Sequence, residues 1–363
     1  MKSETAPTGE NIFSAETLPF CNQPWSNLFV RATGRIQACC MNSTSLGNIT
    51  TDAPDEVWNS IALQQMRSRI LANDYKTAGC SPDCSYIRHI TQHGGIDRTP
   101  PEWREAAKRS TSFRNNLARY EESVANRETV ARNTPITLDI QPNESCNMAC
   151  IMCHQKHDST YRVSPPSLRK LFEYAPHFHS VRFQGGEVFI YTDFTDYLIE
   201  LKESLSEYQK LNVITNASKL APELLERLTE GNNPVFFTVS LDTVHEETYR
   251  YIRQSKFFGR VIETIRYLGR IQQEKKVPLL SWNFVVMKSN FYHIQEAIEL
   301  AAELDVEIAF QPIVGTYAEE NIFAYRDLRD PEYVSYLGQC IETARALNAK
   351  AVNLDTIKTM LDS

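Results

Sequence analysis

From residue 135 onward, short apolar runs of strand length alternate with longer segments whose apolar residues recur every three or four positions. The runs predict strands at Ile136–Gln141, Ser180–Gln184, Leu211–Thr215, Val235–Leu241, Leu280–Val286 and Glu307–Pro312. The amphipathic segments predict helices at Ser167–Tyr174, Asp193–Leu205, Pro222–Thr229, Glu246–Gln273 and Ile294–Leu304, the fourth interrupted near Phe257-Phe258-Gly259. Repeated strand–helix alternation implies a parallel sheet with helices outside it. Six units rather than eight suit an α/β fold built as a partial (β/α)6 barrel, with its chemistry on the loops after the strands. A last helical run follows at about Pro331–Leu347.

The first 95 residues read differently. They are loop-rich, with a short strand around Asn27–Arg31 and a helical run from about Asp55 to Ala72. Residues 96–134 are highly charged and aromatic-poor, and Pro101-Glu102-Trp103-Arg104-Glu105 has the form of a helix start. The expected organisation is a small loop-rich domain at 1–95, a charged helical connector at 96–134, the partial barrel at 135–315 and a helical segment at 316–363.

Composition adds limits. The 363 residues are 42% hydrophobic and 23% charged, ordinary for a globular protein, and the formal net charge is −7. That balance argues against a broad nucleic-acid face. The opening Met1-Lys2-Ser3-Glu4-Thr5-Ala6-Pro7 has no apolar core for a signal peptide, and no stretch approaches the roughly 20 apolar residues of a membrane span. A cytoplasmic protein without a membrane partner is expected. In a reducing compartment nine clustered cysteines point to metal or redox chemistry rather than disulfides.

Three of them follow the first barrel strand as Cys146-x3-Cys150-x2-Cys153, on the loop where a barrel places its active site. Thiolates are the usual ligands of iron–sulfur clusters, normally four to a four-iron cubane, so three would leave one iron open to a ligand. The alternatives are a zinc site with His154 as fourth ligand, although His154 is directly adjacent to Cys153, and three packed, unligated thiols.

The residues downstream carry a resemblance to the radical S-adenosylmethionine (SAM) superfamily. After the second strand comes Gln184-Gly185-Gly186-Glu187, similar to the Gly-Gly-Glu segment that receives the methionine amino group. The third strand ends in Thr215-Asn216-Ala217, similar to Thr-Asn-Gly. The fourth carries Ser240-Leu241-Asp242 with Arg253 beyond it, and the fifth carries Asn283. The resemblance spans about residues 135–315. Met152, Val188 and Ala217 depart from it, at positions where the family often has an aromatic residue, Pro and Gly. It implies a [4Fe–4S] cluster on Cys146, Cys150 and Cys153, and SAM held by Gly185, Gly186, Glu187, Asn216, Ser240, Asp242, Arg253 and Asn283. It further implies reductive cleavage of SAM to a 5′-deoxyadenosyl radical that takes hydrogen from a substrate carbon, with an electron donor such as flavodoxin or ferredoxin. For Gly185-Gly186 and Asp242 the plainer readings are a tight turn and a helix N-cap.

The upstream cysteines form Cys21-x12-Gly34-x4-Cys39, followed by Cys40 and the pair Cys80-x3-Cys84. With Leu46-Gly47-Asn48-Ile49, Val57-Trp58-Asn59-Ser60 and Met66-Arg67, this resembles a SPASM/twitch auxiliary-cluster module, here placed before the radical domain. A second [4Fe–4S] cluster on Cys21, Cys39, Cys80 and Cys84 is implied, with Cys40 as the alternative to Cys39, since adjacent residues of an extended chain face opposite ways. A four-cysteine zinc ribbon is the competing reading.

Cys340 is a weak catalytic candidate, as a hydrogen-atom donor, against the plainer reading of a core thiol. His154, His157, His177 and His179 are candidate proton acceptors, and Tyr317 and Tyr325 candidate pocket walls. The expected function is a radical SAM oxidoreductase or transferase acting on a small metabolite of aminosugar or nucleoside type in secondary metabolism, by oxidation, rearrangement or sulfur insertion. The 20 residues before Cys21 leave no room for a leader-recognition domain, which favours the metabolite over a peptide. The alternatives are a peptide-modifying maturase and, outside catalysis, a metal-binding scaffold or redox sensor.

Overall fold

The computed structural model describes residues 17–362 other than Lys156. The opening segment inspected for a signal peptide therefore lies outside the described residues. The chain divides into two compact units. Unit 1 comprises residues 1–141, 163–181 and 204–210; unit 2 comprises 142–162, 182–203 and 211–363.

In unit 1, β1 (Thr17–Leu18) pairs antiparallel with β5 (Ile96–Asp97). A second group runs from β2 (Asn27–Val30) through β3 (Arg35–Gln37) to β4 (Gly47–Asn48), all antiparallel. Gly34 makes the β2–β3 turn at φ 81°, and an added Cβ there would lie 2.4 Å from Asn48 Oδ1. On its other edge β2 runs parallel to β6 (Thr137–Ile140), with Asn27 opposite Thr137 and Val30 opposite Ile140.

The expected connector is folded into this unit. Helices Pro101–Arg109 and Thr111–Ala125 are amphipathic, and they bury Trp103, Phe113, Leu117 and Tyr120. Asn22 donates to the Tyr120 hydroxyl at 2.8 Å, which donates to Arg98 O at 2.8 Å. Charge density concealed this, because most of the charges occupy the outer helix faces, Glu121 being the buried exception. The helical run expected over 55–72 is two helices, Pro54–Trp58 and Ile61–Leu71. The guanidinium of Arg67, fully buried, fixes them. It donates to Pro24 O, Trp58 O, Thr129 O and Asn59 Oδ1 at 2.7–3.0 Å and faces the Trp58 ring at 5.0 Å. Burial pulls its pKa down to about 9.

β7 (Ser180–Phe183) is divided between the units. From Leu211 on, unit 2 carries the parallel strands β8 (Lys210–Thr215), β9 (Phe236–Ser240), β10 (Leu280–Val286), β11 (Glu307–Pro312) and β12 (Ala351–Val352), in that spatial order. Helices Pro222–Thr229, Glu246–Arg253, Phe258–Lys275, Ile294–Glu303 and Tyr333–Ala346 intervene. The expected break near Phe257 is present, with Gln254 in the left-handed region at φ 49°. The last strand, β12, and helix Leu354–Asp362 were not expected, since two residues of strand carry no periodicity. The result is a mixed α/β fold with parallel strands and no closed barrel among the described residues, as the partial (β/α) pattern implied.

Along β8–β11 the buried residues alternate with half-buried or exposed ones. Val213, Val239, Phe284 and Phe310 face the apolar core, whereas Asn212, Thr238, Ser240 and Asn283 share the opposite face. The strands therefore bring a polar face and a set of strand-end loops into unit 2.

Candidate active site

The Cys146–Cys153 loop is held from two sides within unit 2. Gly186 N donates to Asn143 O at 3.1 Å, and Glu187 N to Ser145 O at 2.7 Å. A Cβ on Gly186 would lie 1.9 Å from Ser145 O, so only glycine lets the two backbones meet. On the other side Ile151 N donates to Ile252 O at 2.9 Å, and Cys146 N is tied to His157 O at 2.9 Å.

Two carboxylates expected to meet the cofactor are buried and bonded to groups of the protein. Glu187 is 0% exposed; it accepts from Thr215 Oγ1 at 2.7 Å, Asn216 N at 2.8 Å and Phe189 N at 3.1 Å. It thus locks the Gly-Gly turn to the end of β8. Burial raises its pKa, against the lowering effect of these three donors. Asp242, also fully buried, is no helix N-cap. Its Oδ1 accepts from Val285 N at 2.9 Å, and its Oδ2 stands 2.6 Å from Arg253 Nη2.

Arg253 is 6% exposed, and its Nη1 lies 3.8 Å from Cys150 Sγ. Burial lowers its pKa, but Asp242 and Cys150 more than reverse that. Its Nε is buried without a partner. Asn216 Nδ2 reaches Cys146 Sγ at 3.7 Å and Asn147 Oδ1 at 3.1 Å. Burial pushes the Cys146 thiol up to about 11, and Cys150 is also raised by burial, opposed by Arg253. Cys153 is exposed. Ser240 and Asn283 lie opposite each other in register, half-buried on the same face. Thiolate donors, a close-approach glycine and an orphaned guanidinium nitrogen fit a soft metal cluster with an anionic ligand beside it.

Sequence reasoning missed Ser145, Asn147 and Ser218. Ser218 Oγ accepts from Asn147 Nδ2 at 2.8 Å and bonds Asn216, completing a polar chain along the loop. Such links between loops leave no spacing signal. Ala217, buried at φ 61°, holds the left-handed geometry that explains the family's glycine there.

In unit 1 four sulfurs share one environment. Burial pushes Cys21 up to about 12, with repulsion from Cys84 and Cys80 added. Burial raises Cys39 further, followed by Cys21, Cys40 and Cys84. Cys80 is raised by burial and by Cys84, while Asn42, whose Nδ2 lies 3.7 Å from its Sγ, opposes this. Cys40 is exposed. Ser81 N donates to Met41 O at 2.9 Å and Ser43 N to Gly79 O at 2.8 Å, joining the two cysteine-bearing turns. Tyr75, also missed, lies close to Cys21, Cys80 and Cys84, which act together to raise its pKa after burial.

All nine cysteines are free thiols. Among the described residues no three Cys, His, Asp or Glu side chains stand close enough to hold a single metal ion.

The remaining candidates are divided, His157 and Tyr317 standing by the Cys146–Cys153 loop and Cys340, His177 and His179 elsewhere. Cys340 is buried in helix Tyr333–Ala346 beside Tyr336, its thiol pushed up to about 11 by burial. His177 and His179 belong to unit 1, and His154 and His157 are exposed. Tyr317 lies near Cys153, whose charge adds to burial in raising its pKa, whereas Tyr325 is half-buried in the segment after β11. No helix of the described residues is long and apolar enough to cross a membrane.

Comparison with known proteins adds two matches. The radical SAM superfamily profile matches residues 140–301, and the SPASM iron–sulfur cluster-binding domain matches residues 21–85. The chain is similar to the probable GTP 3′,8-cyclase of Methanopyrus kandleri, 30% identical over 164 residues, 44% of this chain and 50% of that protein. It is similar to an uncharacterized protein of Archaeoglobus fulgidus, 26% identical over 222 residues, 58% of this chain and 49% of that protein. The chain spans about half the length of the curated relatives it matches. Among solved structures, Streptococcus suis SuiB aligns at 15% identity over 90% of this chain and 69% of that one, with a TM-score of 0.48.

Proposed function

We propose that this chain, which belongs to the radical SAM superfamily and carries an SPASM domain ahead of its radical SAM domain, takes hydrogen from a C–H carbon of an amine-bearing small metabolite. Its cofactors are S-adenosylmethionine and a [4Fe–4S] cluster, with further iron–sulfur binding in the SPASM domain. When bound, they supply one electron to a sulfur–carbon bond of SAM and hence a carbon radical able to take hydrogen.

In this reading Cys146, Cys150 and Cys153 hold the first cluster, and Cys21, Cys39, Cys80 and Cys84 the second. Gly185, Gly186, Asn216, Ser240, Asn283 and Arg253 receive SAM. Glu187 and Asp242 fix Asn216 and Arg253 in place.

One observation supports the amine. A cavity of about 370 Å³ in unit 2 adjoins the cysteine loop at Ile151, with Ile313 and Tyr317 in its wall and Glu319 and Glu320 beside them. Glu320 is held by the Tyr251 hydroxyl at 2.9 Å and Ser289 N at 3.0 Å, while Glu319 is exposed. An apolar wall with a carboxylate rim suits an alkylammonium group and repels a triphosphate, the group that the name of the GTP cyclases implies. The same rim would take a peptide's lysine or terminal amine, which makes peptide modification the second reading. Nine free thiols suit a reducing compartment, so we place the protein in the cytoplasm, served by a flavodoxin- or ferredoxin-type donor.

The test is anaerobic reconstitution followed by SAM and dithionite. Fully loaded protein, with about eight irons, should form 5′-deoxyadenosine; the C146A/C150A/C153A variant should keep about four irons and form none. Loaded protein that forms no deoxyadenosine would refute the reading in favour of a non-catalytic cluster scaffold.

A further inference from the structure

In unit 1 the hairpin of β2 and β3 and the turn carrying Cys80 enclose an open cavity of about 530 Å³. Arg31, Arg35 and Lys76 line it, with Gln37, Asn42 and Cys80, and no acidic residue lines it. Three cations without an acid are unexpected in a chain of net charge −7. Arg35 and Lys76 make no ion pair among the described residues. The Arg31 guanidinium donates to Gln37 Oε1 and to Cys40 O at 2.9 Å, so it forms a fixed wall.

Gln37 separates this cavity from an ordinary solvated basic patch. It is 0% exposed, its Oε1 is engaged by Arg31, and its Nε2 is buried with no partner. A buried donor of this kind is left uncompensated until an acceptor arrives. Arg35 and Gln37, two residues apart on β3, lie on one face of the strand. Arg31 directly follows β2, whose Val30 pairs with Ile140 of β6.

We infer that this cavity binds a small anionic group, a carboxylate or a phosphate, against the turn that carries Cys80. Two exposed cations, Arg35 and Lys76, meet the anion from outside, with Gln37 in the wall behind them, a charge arrangement that matches oxygens around one carbon or phosphorus. The site lies against Cys80 of unit 1 and is separate from the chemistry of the proposed function. Binding of the anion itself does not depend on that function.

The experiment follows anion resonances on reconstituted protein without SAM or reductant, at ionic strength held constant with NaCl. The probes are inorganic phosphate, by 31P line broadening, and 13C-labelled acetate, by 13C line broadening. The protein should broaden at least one, and an R35Q/K76Q variant of unchanged iron content should bind about tenfold more weakly, with R35K retaining binding. Phosphate alone identifies a phosphorylated ligand, acetate alone a carboxylate, and either supports the site. Equal broadening by both proteins, or none by either, overturns it. Because no SAM cleavage is read, failure here leaves the radical chemistry standing, and failure of that chemistry leaves the anion site intact.

Discussion

Cys150 in unit 2 stands beside a guanidinium, while Cys21 and Cys39 in unit 1 lie among other thiols. In unit 2 the protein supplies part of the positive charge that a thiolate needs, and it orients that charge through Asp242. In unit 1 each added negative sulfur opposes the next, so the favourable charge must come from what the thiolates bind. The exposure differs in the same sense. Cys153 is open to solvent, whereas Cys21 and Cys84 are buried. One arrangement suits a cluster that must meet a ligand, and the other suits a cluster closed off by its protein.

The sharpest way to break this contrast is within the Cys39-Cys40 pair. C39A should lose about four irons from reconstituted protein and C40A essentially none, measured by iron and sulfide content. Equal losses would mean that the shared environment of Cys21, Cys39, Cys80 and Cys84 does not define the ligand set. The cation of unit 2 is tested next. D242N leaves Arg253 charged, buried and without its carboxylate, and should cost about 3–5 kcal/mol in unfolding stability. Its SAM affinity should fall as well, while the iron bound by unit 1 persists. A D242N protein as stable as the parent would show that Arg253 needs no fixed anion.

The smallest effect separates proton chemistry from thiol chemistry in unit 1. Burial, with Lys210, pushes the His179 imidazole down to about 4, below its value of about 6.5 when unfolded. Between those values the unfolded chain binds the extra proton, so stability is present above about pH 6.5 and is lost as pH falls toward 4. From pH 7 to 5.5 the loss should be about 1 kcal/mol. The urea midpoint of H179Q should lack this increment, and an identical pH slope in variant and parent would remove His179 as its source.

The strands were legible because each carried its own period. Leu280–Val286 and Glu307–Pro312 have the limits that their patterns imply. The cysteines stood out because eight of the nine fall in two groups along the chain. Charge gave the wrong reading over residues 96–134, where apolar residues such as Phe113 and Leu117 are sparse yet complete one face of a helix. The burial of Glu187 and Asp242 was hidden for another reason. A motif names the residue but not which neighbour uses its oxygens, and here Thr215, Asn216 and Arg253 do. Gln37 left no trace at all, since a glutamine in a short strand looks like ordinary polarity until its burial is known.

The pairing of β2 with β6 bears on the order of events during synthesis. Asn27 waits for Thr137, and Arg67 for Thr129, about a hundred and about sixty residues later respectively. All four auxiliary cysteines therefore leave the ribosome before the strand and the carbonyl that complete their unit. A fragment ending near residue 95 would expose one edge of β2 and leave the Arg67 guanidinium one acceptor short. The SPASM domain comes first in sequence, yet the strand and the carbonyl that complete its unit arrive only with residues 129–140.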